Sequence, residues 1–256
     1  MRVIVTRPEP EAGRWVEALS RRGVDAVALP LIDIAPVGDP AALQRAWREI
    51  DAQAAVMFVS ASAVRHFFAA APAAQQGQWP AMAWATGPGT AHALRVAGVP
   101  PERIAQPPDD SPQFDSEALW RVVHTDVRPG DRVLIVRGAG ADGEAAGRDW
   151  LASRLAEAQA AVTTVAAYRR ELPAWTPAQH LLARDAAADS HAIWFFSSSE
   201  AIGNLVRLLP GHDWQSGRAV ATHERIEQAA RRAGFGVVCL SRPAVDALCT
   251  ALESFG

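Results

Sequence analysis

The chain has 256 residues, 49% of them hydrophobic, and a formal net charge of −3. That is enough apolar material for one large domain or two of ordinary size, and too little positive charge for general binding to a nucleic-acid backbone or an anionic membrane surface. All 25 basic residues are arginine, which removes lysine Schiff-base chemistry and the phosphate-binding lysine of a Walker-type loop; Cys239 and Cys249 lie outside any CxxC or Cys/His cluster, so neither a disulfide framework nor a metal site is expected.

Along the chain, short β-branched runs alternate with Ala/Leu/Arg-rich amphipathic stretches, the pattern of α/β units with parallel strands. The first run, VIVT (3–6), is too short for a signal peptide's apolar region or a membrane span, and a reducing cytoplasm is the expected compartment. VDAVAL (24–29) follows, then the extended, proline-bounded LPLIDIAPV (29–37). Further strands are expected at AAVMFVS (54–60), MAWATG (82–87) and RIAQP (103–107). The acidic stretch DDSPQFDSEAL (109–119) holds Ser111 or Asp115 as the cap of a helix opening near Ser116. RVLIVRG (132–138), AVTTVAAY (161–168), AIWFFSS (192–198), RAVAT (218–222) and FGVVCLS (235–241) complete ten expected strands. Gly23, Gly98 and Gly234 each stand between an amphipathic segment and a strand, where a C-terminal helix cap belongs. Gln159 occupies the position that matches Gly23 and leaves that turn open.

An internal repeat organises these runs. FVSASAV (58–64) reads like FSSSEAI (196–202), and ATGPGTAHALRVAG (85–98) like ATHERIEQAARRAG (221–234). RVIVTRP (2–8) matches RVLIVRG, placing Arg7 opposite Arg137, and each is trailed by a Gly-Arg pair, Gly13-Arg14 and Gly147-Arg148. The chain therefore runs as two alternating blocks, each used twice. The extended segments LPLIDIAPV and TTVAAYRRELP (163–173) read as crossing connectors. The expected fold is α/β: two flavodoxin-like domains with parallel sheets, built from tandem-duplicated units and joined by a two-stranded connector. The expected boundaries are residues 1–30 plus 174–256 for a discontinuous first domain, 31–38 and 163–173 for the connectors, and 39–162 for an inserted second domain. Loops at the carboxyl strand ends would line a cleft between domains, with the single tyrosine, Tyr168, at the hinge.

In order, VIVTRPE, LPLIDIAP, FVSASAV, ATGPGTAHAL, FDSEAL, VLIVRG, AYRREL and FFSSSEAIGNL cover nearly the whole chain and resemble the uroporphyrinogen-III synthase family. The resemblance implies a cofactor-free, monomeric enzyme of tetrapyrrole biosynthesis. It would take the linear tetrapyrrole hydroxymethylbilane, expel its terminal hydroxyl as water, invert the last pyrrole through a spiro intermediate and close the macrocycle. Transient contact with the preceding synthase of the pathway is a further expectation; nucleic acid and membrane are not.

A substrate with carboxylates on every ring needs many donors but few strong catalytic groups, because the electron-rich pyrrole itself expels hydroxide. Expected donors are Ser60, Thr86, Ser198 and Thr222 at strand ends, Thr90 at a helix opening, and backbone N–H groups at helix N-termini. Arg7, Arg137 and Arg148 would add charge-assisted bonds. Each hydroxyl has the alternative role of a helix cap. Tyr168 is either an anchor whose ring packs and whose hydroxyl is satisfied locally, or an acid, protonated at neutral pH, that assists the departing hydroxyl; the resemblance favours the acid. His223, beside Thr222, is the one histidine expected near the site.

Gly138 to Gly143 has GxGxxG spacing, but the next strand ends in Tyr-Arg-Arg rather than the acidic residue of a dinucleotide fold, so it is expected to be a flexible loop. Two other classes stay open at this point: a non-catalytic two-domain binder or sensor of an anionic small molecule, and a nucleotide-dependent Rossmann-like enzyme.

Overall fold

The computed structural model describes residues 1–75, 77, 79–140, 145 and 149–255. In chain order its elements are β1 (Arg2–Val5), α1 (Glu11–Ser20), β2 (Ala26–Ala28), β3 (Asp33–Pro36), α2 (Ala41–Arg48), β4 (Ala55–Phe58), α3 (Ala61–Ala69), β5 (Met82–Ala85), α4 (Pro88–Val96), β6 (Ile104–Ala105) and α5 (Ser116–Val123). They continue with β7 (Arg132–Ala139), α6 (Trp150–Glu157), β8 (Ala161–Glu171), α7 (Pro177–Ala188), β9 (Ala192–Phe196), α8 (Ser199–Leu208), β10 (Arg218–Ala221), α9 (Glu224–Arg232), β11 (Val237–Leu240) and α10 (Val245–Glu253). Each of the ten expected runs contains a strand, and LPLIDIAPV supplies an eleventh, β3.

The chain divides into two compact units, one of residues 1–33 with 171–255 and one of residues 34–170. The first holds a sheet of order β11-β10-β9-β1-β2. All its pairings are parallel, with Arg2 opposite Ala192 and Val3 opposite Ala26. This is the flavodoxin-like order, in which the strand sequence reverses beside β1. The second unit holds a sheet of order β3-β8-β7-β4-β5-β6, parallel from β8 through β6. Apart from its edge strand β3 it has the same arrangement, permuted: the β1-α1-β2 pair comes first in its unit, whereas β7-α6-β8 comes last.

Alternation along the strands sorts side chains onto two faces. In the second unit, Val56, Phe58, Leu134 and Val136 pack with Leu43, Trp47, Val64, Phe67 and Leu94 of α2, α3 and α4. Met57, Val133 and Ile135 pack on the other face with Leu119, Val123, Leu151 and Leu155 of α5 and α6. In the first unit, Val3, Val5, Ile193 and Phe195 meet Leu19 of α1 and Leu248 and Leu252 of α10. Ile4, Trp194 and Phe196 are fully buried as well, and an aromatic group of Trp194, Trp214, Phe196 and Phe235 covers that side. A sheet buried on both faces explains why the strands read as continuous apolar runs rather than as alternating ones.

The ends of α1, α4, α6 and α9 follow one device. Gly23, Gly98 and Gly234 have φ of 76°, 91° and 102°. Each donates to a carbonyl three residues back while the next residue bonds five back: Gly23 to Ser20 with Val24 to Leu19, Gly98 to Arg95 with Val99 to Leu94, and Gly234 to Arg231 with Phe235 to Ala230. These paired bonds satisfy carbonyls left open at a helix end. Gln159 makes the same pair, to Ala156, with Ala160 to Leu155, at φ 61°.

Candidate active site at the carboxyl strand ends

In the second unit the chain leaves β4 and caps α3 at once: the Ser60 Oγ accepts the Ala63 N–H at 3.1 Å. The same oxygen lies 3.2 Å from the Tyr168 hydroxyl. Tyr168 sits within the body of this unit, only 3% exposed and part of the core cluster with α3. A β-bulge puts it there. Arg137 stands opposite Ala166 but Gly138 opposite Tyr168, so Ala167 is an extra residue. By simple alternation Tyr168 would share the face of Val162 and Ala166; the bulge turns it onto the face of Val165 and Ala167. Gly138 makes the turned position possible, since a methyl group there would stand 2.8 Å from two ring carbons of Tyr168 and 3.1 Å from its hydroxyl. The His66 ring of α3 lies over the tyrosine, centroids 5.8 Å apart and tilted by 34°.

The other expected donors of this unit are local. The Thr86 hydroxyl donates to the Val59 carbonyl at 3.3 Å. Thr90 is buried in the first turn of α4, a helix opened by Gly87 with no side-chain cap. Arg137 is 4% exposed, and its Nη1 donates to Asp149 Oδ1 at 2.9 Å; its Nε is buried without a hydrogen-bond partner. Asp115, not Ser111, caps α5, accepting from the Ala118 N–H at 2.8 Å. Arg148 and the residues 141–143 of the GxGxxG stretch lie outside the described residues.

In the first unit, Ser198 caps α8 and accepts from the Glu200 N–H at 3.2 Å. After β10 the cap is His223, whose Nδ1 accepts from the Arg225 N–H at 3.0 Å; Thr222 precedes it, half-buried, its own N–H donating to Phe196 O at 3.1 Å. Arg7 follows β1 with its guanidinium carbon 5.2 Å from the Trp15 ring centroid and its Nε buried without a partner. Burial pulls its pKa below the ordinary arginine value, Glu11 partly opposing the shift. Arginine starts so far above neutrality that the group stays charged. The His66 pKa is also lowered, by burial first and by Arg65 second, which favours the neutral imidazole.

The structure brings together Ser60, Tyr168 and, beside them, two residues that sequence reasoning passed over: Gly138 and His66. It ties Arg137 to a third, Asp149. Gly138 was hidden inside a dinucleotide-like spacing, and only the strand register shows what it faces. His66 had a signal in the repeat, since it occupies the place in α3 that Asn204 holds in α8. Asn204 is buried and donates to the Leu31 carbonyl at 2.8 Å. Among the described residues no group of three or more His, Cys, Asp or Glu is placed to hold a metal, and no helix is long and apolar enough to cross a membrane.

Two parallel α/β units, each with a serine-capped helix N-terminus at a carboxyl strand end, Ser60 on α3 and Ser198 on α8, place the chain among the α/β proteins whose strand ends can hold anions. A family model described as uroporphyrinogen-III synthase HemD matches residues 13–250. The chain is similar in fold to the uroporphyrinogen-III synthetase of Helicobacter pylori, with a TM-score of 0.61 at 14% identity over 100% of both chains. It is also similar to a mutant uroporphyrinogen III synthase of Thermus thermophilus, with a TM-score of 0.57 at 17% identity over 99% of this chain and 98% of that one. The chain belongs to the uroporphyrinogen-III synthase family, cyclising lyases of tetrapyrrole biosynthesis.

Proposed function

We propose that this enzyme takes hydroxymethylbilane at the carboxyl strand ends and that Tyr168 is the acid for loss of its terminal hydroxyl. The observation that supports the assignment is the Tyr168 hydroxyl, which sits 3.2 Å from Ser60 Oγ at the N-terminus of α3. The hydroxyls of Thr86, Thr90, Ser198 and Thr222, the backbone N–H groups behind these and behind Ser60, and Arg7, Arg137 and Arg148 are assigned to the substrate carboxylates. The reaction needs no cofactor or metal in this scheme, because the pyrrole nitrogen drives hydroxide out. The azafulvene left behind is attacked by the substituted carbon of the last ring, and fragmentation and reclosure invert that ring. We assign residues 31–38 and 163–173 to the two crossings of the chain between its domains, and a cytoplasmic monomer working after the preceding synthase to the cell.

Supplying hydroxymethylbilane and resolving type III from spontaneously formed type I macrocycle tests the activity. Tyr168→Phe then tests the acid: a general acid is worth about 10²–10⁴ in rate, and with so willing a leaving group the expected loss is about 10². The type III isomer is still expected. Tyr168→Phe with the parent single-turnover rate and an early thermal transition would make Tyr168 an anchor. A protein that binds the bilane but leaves the type I product unchanged would be a carrier rather than an enzyme.

A further inference from the structure

We infer that Ser60 is the group that meets the departing hydroxyl and that Tyr168 acts through it, the two forming a hydroxyl relay at the N-terminus of α3. This rests on the assignment of Tyr168 as the acid.

Geometry and relative acidity together assign the protons. A serine hydroxyl has one proton and two acceptor sites. One acceptor site of Ser60 is taken by the Ala63 N–H at 3.1 Å, leaving its second acceptor site and its proton for Tyr168 and for whatever lies beyond. Of the two hydroxyls 3.2 Å apart, a phenol is intrinsically a stronger acid than an aliphatic alcohol and so the better donor. Tyr168 therefore donates to Ser60, which already sits at the positive end of a helix, and the Ser60 proton is left to point outward. Exposure agrees. Tyr168 is 3% exposed, enclosed by the Gly138 backbone and the His66 ring, whereas Ser60 is half-buried at the start of the turn.

The step balances without any added reactant. As the C–O bond of the hydroxymethyl group breaks, its oxygen takes the Ser60 proton and leaves as water. Ser60 recovers a proton from Tyr168. The tyrosinate is reprotonated by the proton that ring closure releases from a pyrrole carbon, so the cycle ends as it began.

The test uses the full-length enzyme with hydroxymethylbilane in single turnover. Glycine is tolerated at a helix N-cap with a loss of only a few tenths of a kcal/mol, so Ser60→Gly deletes the hydroxyl while sparing the helix. Ser60→Gly is expected to slow turnover by about 10², as much as Tyr168→Phe, and the double variant to be no slower than either. Ser60→Thr, which keeps both hydroxyl and cap, should restore much of the rate. Two protons in motion should bend the plot of rate against deuterium fraction in the parent and straighten it in either single variant. If the two losses multiply in the double variant, Tyr168 reaches the substrate by itself and the relay is wrong while the acid stands. If Ser60→Gly turns over at the parent rate, the relay is likewise wrong. If Tyr168→Phe alone keeps the parent rate, the acid assignment fails first and the relay falls with it.

Discussion

The pairs β1–β2 and β7–β8 descend from the same sequence pattern, yet they end differently. In the first unit the pairing is regular from Val3 opposite Ala26 to Val5 opposite Ala28. The chain beyond is then pinned by fixed polar contacts: Leu31 N–H to Thr6 O at 3.3 Å, the Asn204 amide to Leu31 O at 2.8 Å, and the Trp175 indole to Pro30 O at 3.0 Å. In the second unit the ladder runs on to Gly138 and Ala139 through a bulge, and the corresponding helix position, His66, meets a tyrosine ring instead of a carbonyl. One copy of the pair is closed by hydrogen bonds that leave its strand end fixed. The other trades that closure for a side chain turned toward the start of a helix. The same repeat thus ends in backbone-directed hydrogen bonds in one copy and in an aromatic hydroxyl beside a helix start in the other.

The largest effect is expected at the glycine that separates the two solutions. Pro8 occupies the matching place in the first unit, but Gly138→Ala puts a methyl group 2.8 Å from the Tyr168 ring. Overpacking of this kind costs about 1–3 kcal/mol, and the displaced phenol should leave Ser60. Denaturant midpoint and single-turnover rate should therefore fall together, with tyrosine absorbance reporting a changed environment. Gly138→Ala with unchanged rate and midpoint would show that the bulge places nothing of consequence.

A smaller effect separates the turns after α1 and α6. Both carry the same bonds, but the left-handed conformation costs a non-glycine residue about 1–2 kcal/mol. Gly23→Ala should destabilise by about 1 kcal/mol, since open space surrounds the position and only its φ resists. Gln159→Gly should stabilise by up to about 1 kcal/mol, the relief being offset by glycine's greater freedom in the unfolded chain. Urea midpoints measure both. A destabilised Gln159→Gly would mean that the glutamine side chain contributes something its backbone does not reveal.

The smallest effect is one of pH. Burial, with Arg65 in second place, holds the His66 pKa below its ordinary value, so the unfolded chain binds the proton more readily than the folded one. The associated stability is complete above about pH 6.5 and is lost as pH falls below that toward the lowered folded value. His66→Gln should flatten the dependence of melting temperature on pH between about 7.5 and 5.5, whereas changes at Asn204, its counterpart in the first unit, should not. An equal slope in parent and His66→Gln would remove His66 from the pH response.

Much of the fold was legible because parallel strands covered on both faces are short apolar runs, and because the repeat showed how the runs group. The segment LPLIDIAPV read as extended connector rather than as β3 because its prolines obscure a strand that lies at a sheet edge, where proline is tolerated. The candidate site was legible only as a set of residue types. Which side chains can cap a helix, such as Ser60, Ser198 and Asp115, is readable from local sequence. That Tyr168 faces α3 does not, because it depends on a one-residue slip in the register between β7 and β8, and strand periodicity alone predicts the opposite face.

The permuted sheets also bear on how the chain is made. A ribosome releases residues 34–170 as one continuous stretch, and the sheet of that unit can close without waiting for distant sequence. β1, by contrast, emerges first and finds its central neighbour β9 only when Ala192 to Phe195 appear, a wait on the order of ten seconds or more at about 5–20 residues per second. During that interval Val3, Ile4 and Val5, fully buried in the finished protein, have only β2 and α1 for cover. The burden of keeping this nascent chain soluble therefore falls on the segment of β1, α1 and β2, residues 1–30, which carries five arginines and four acidic residues around the exposed strand.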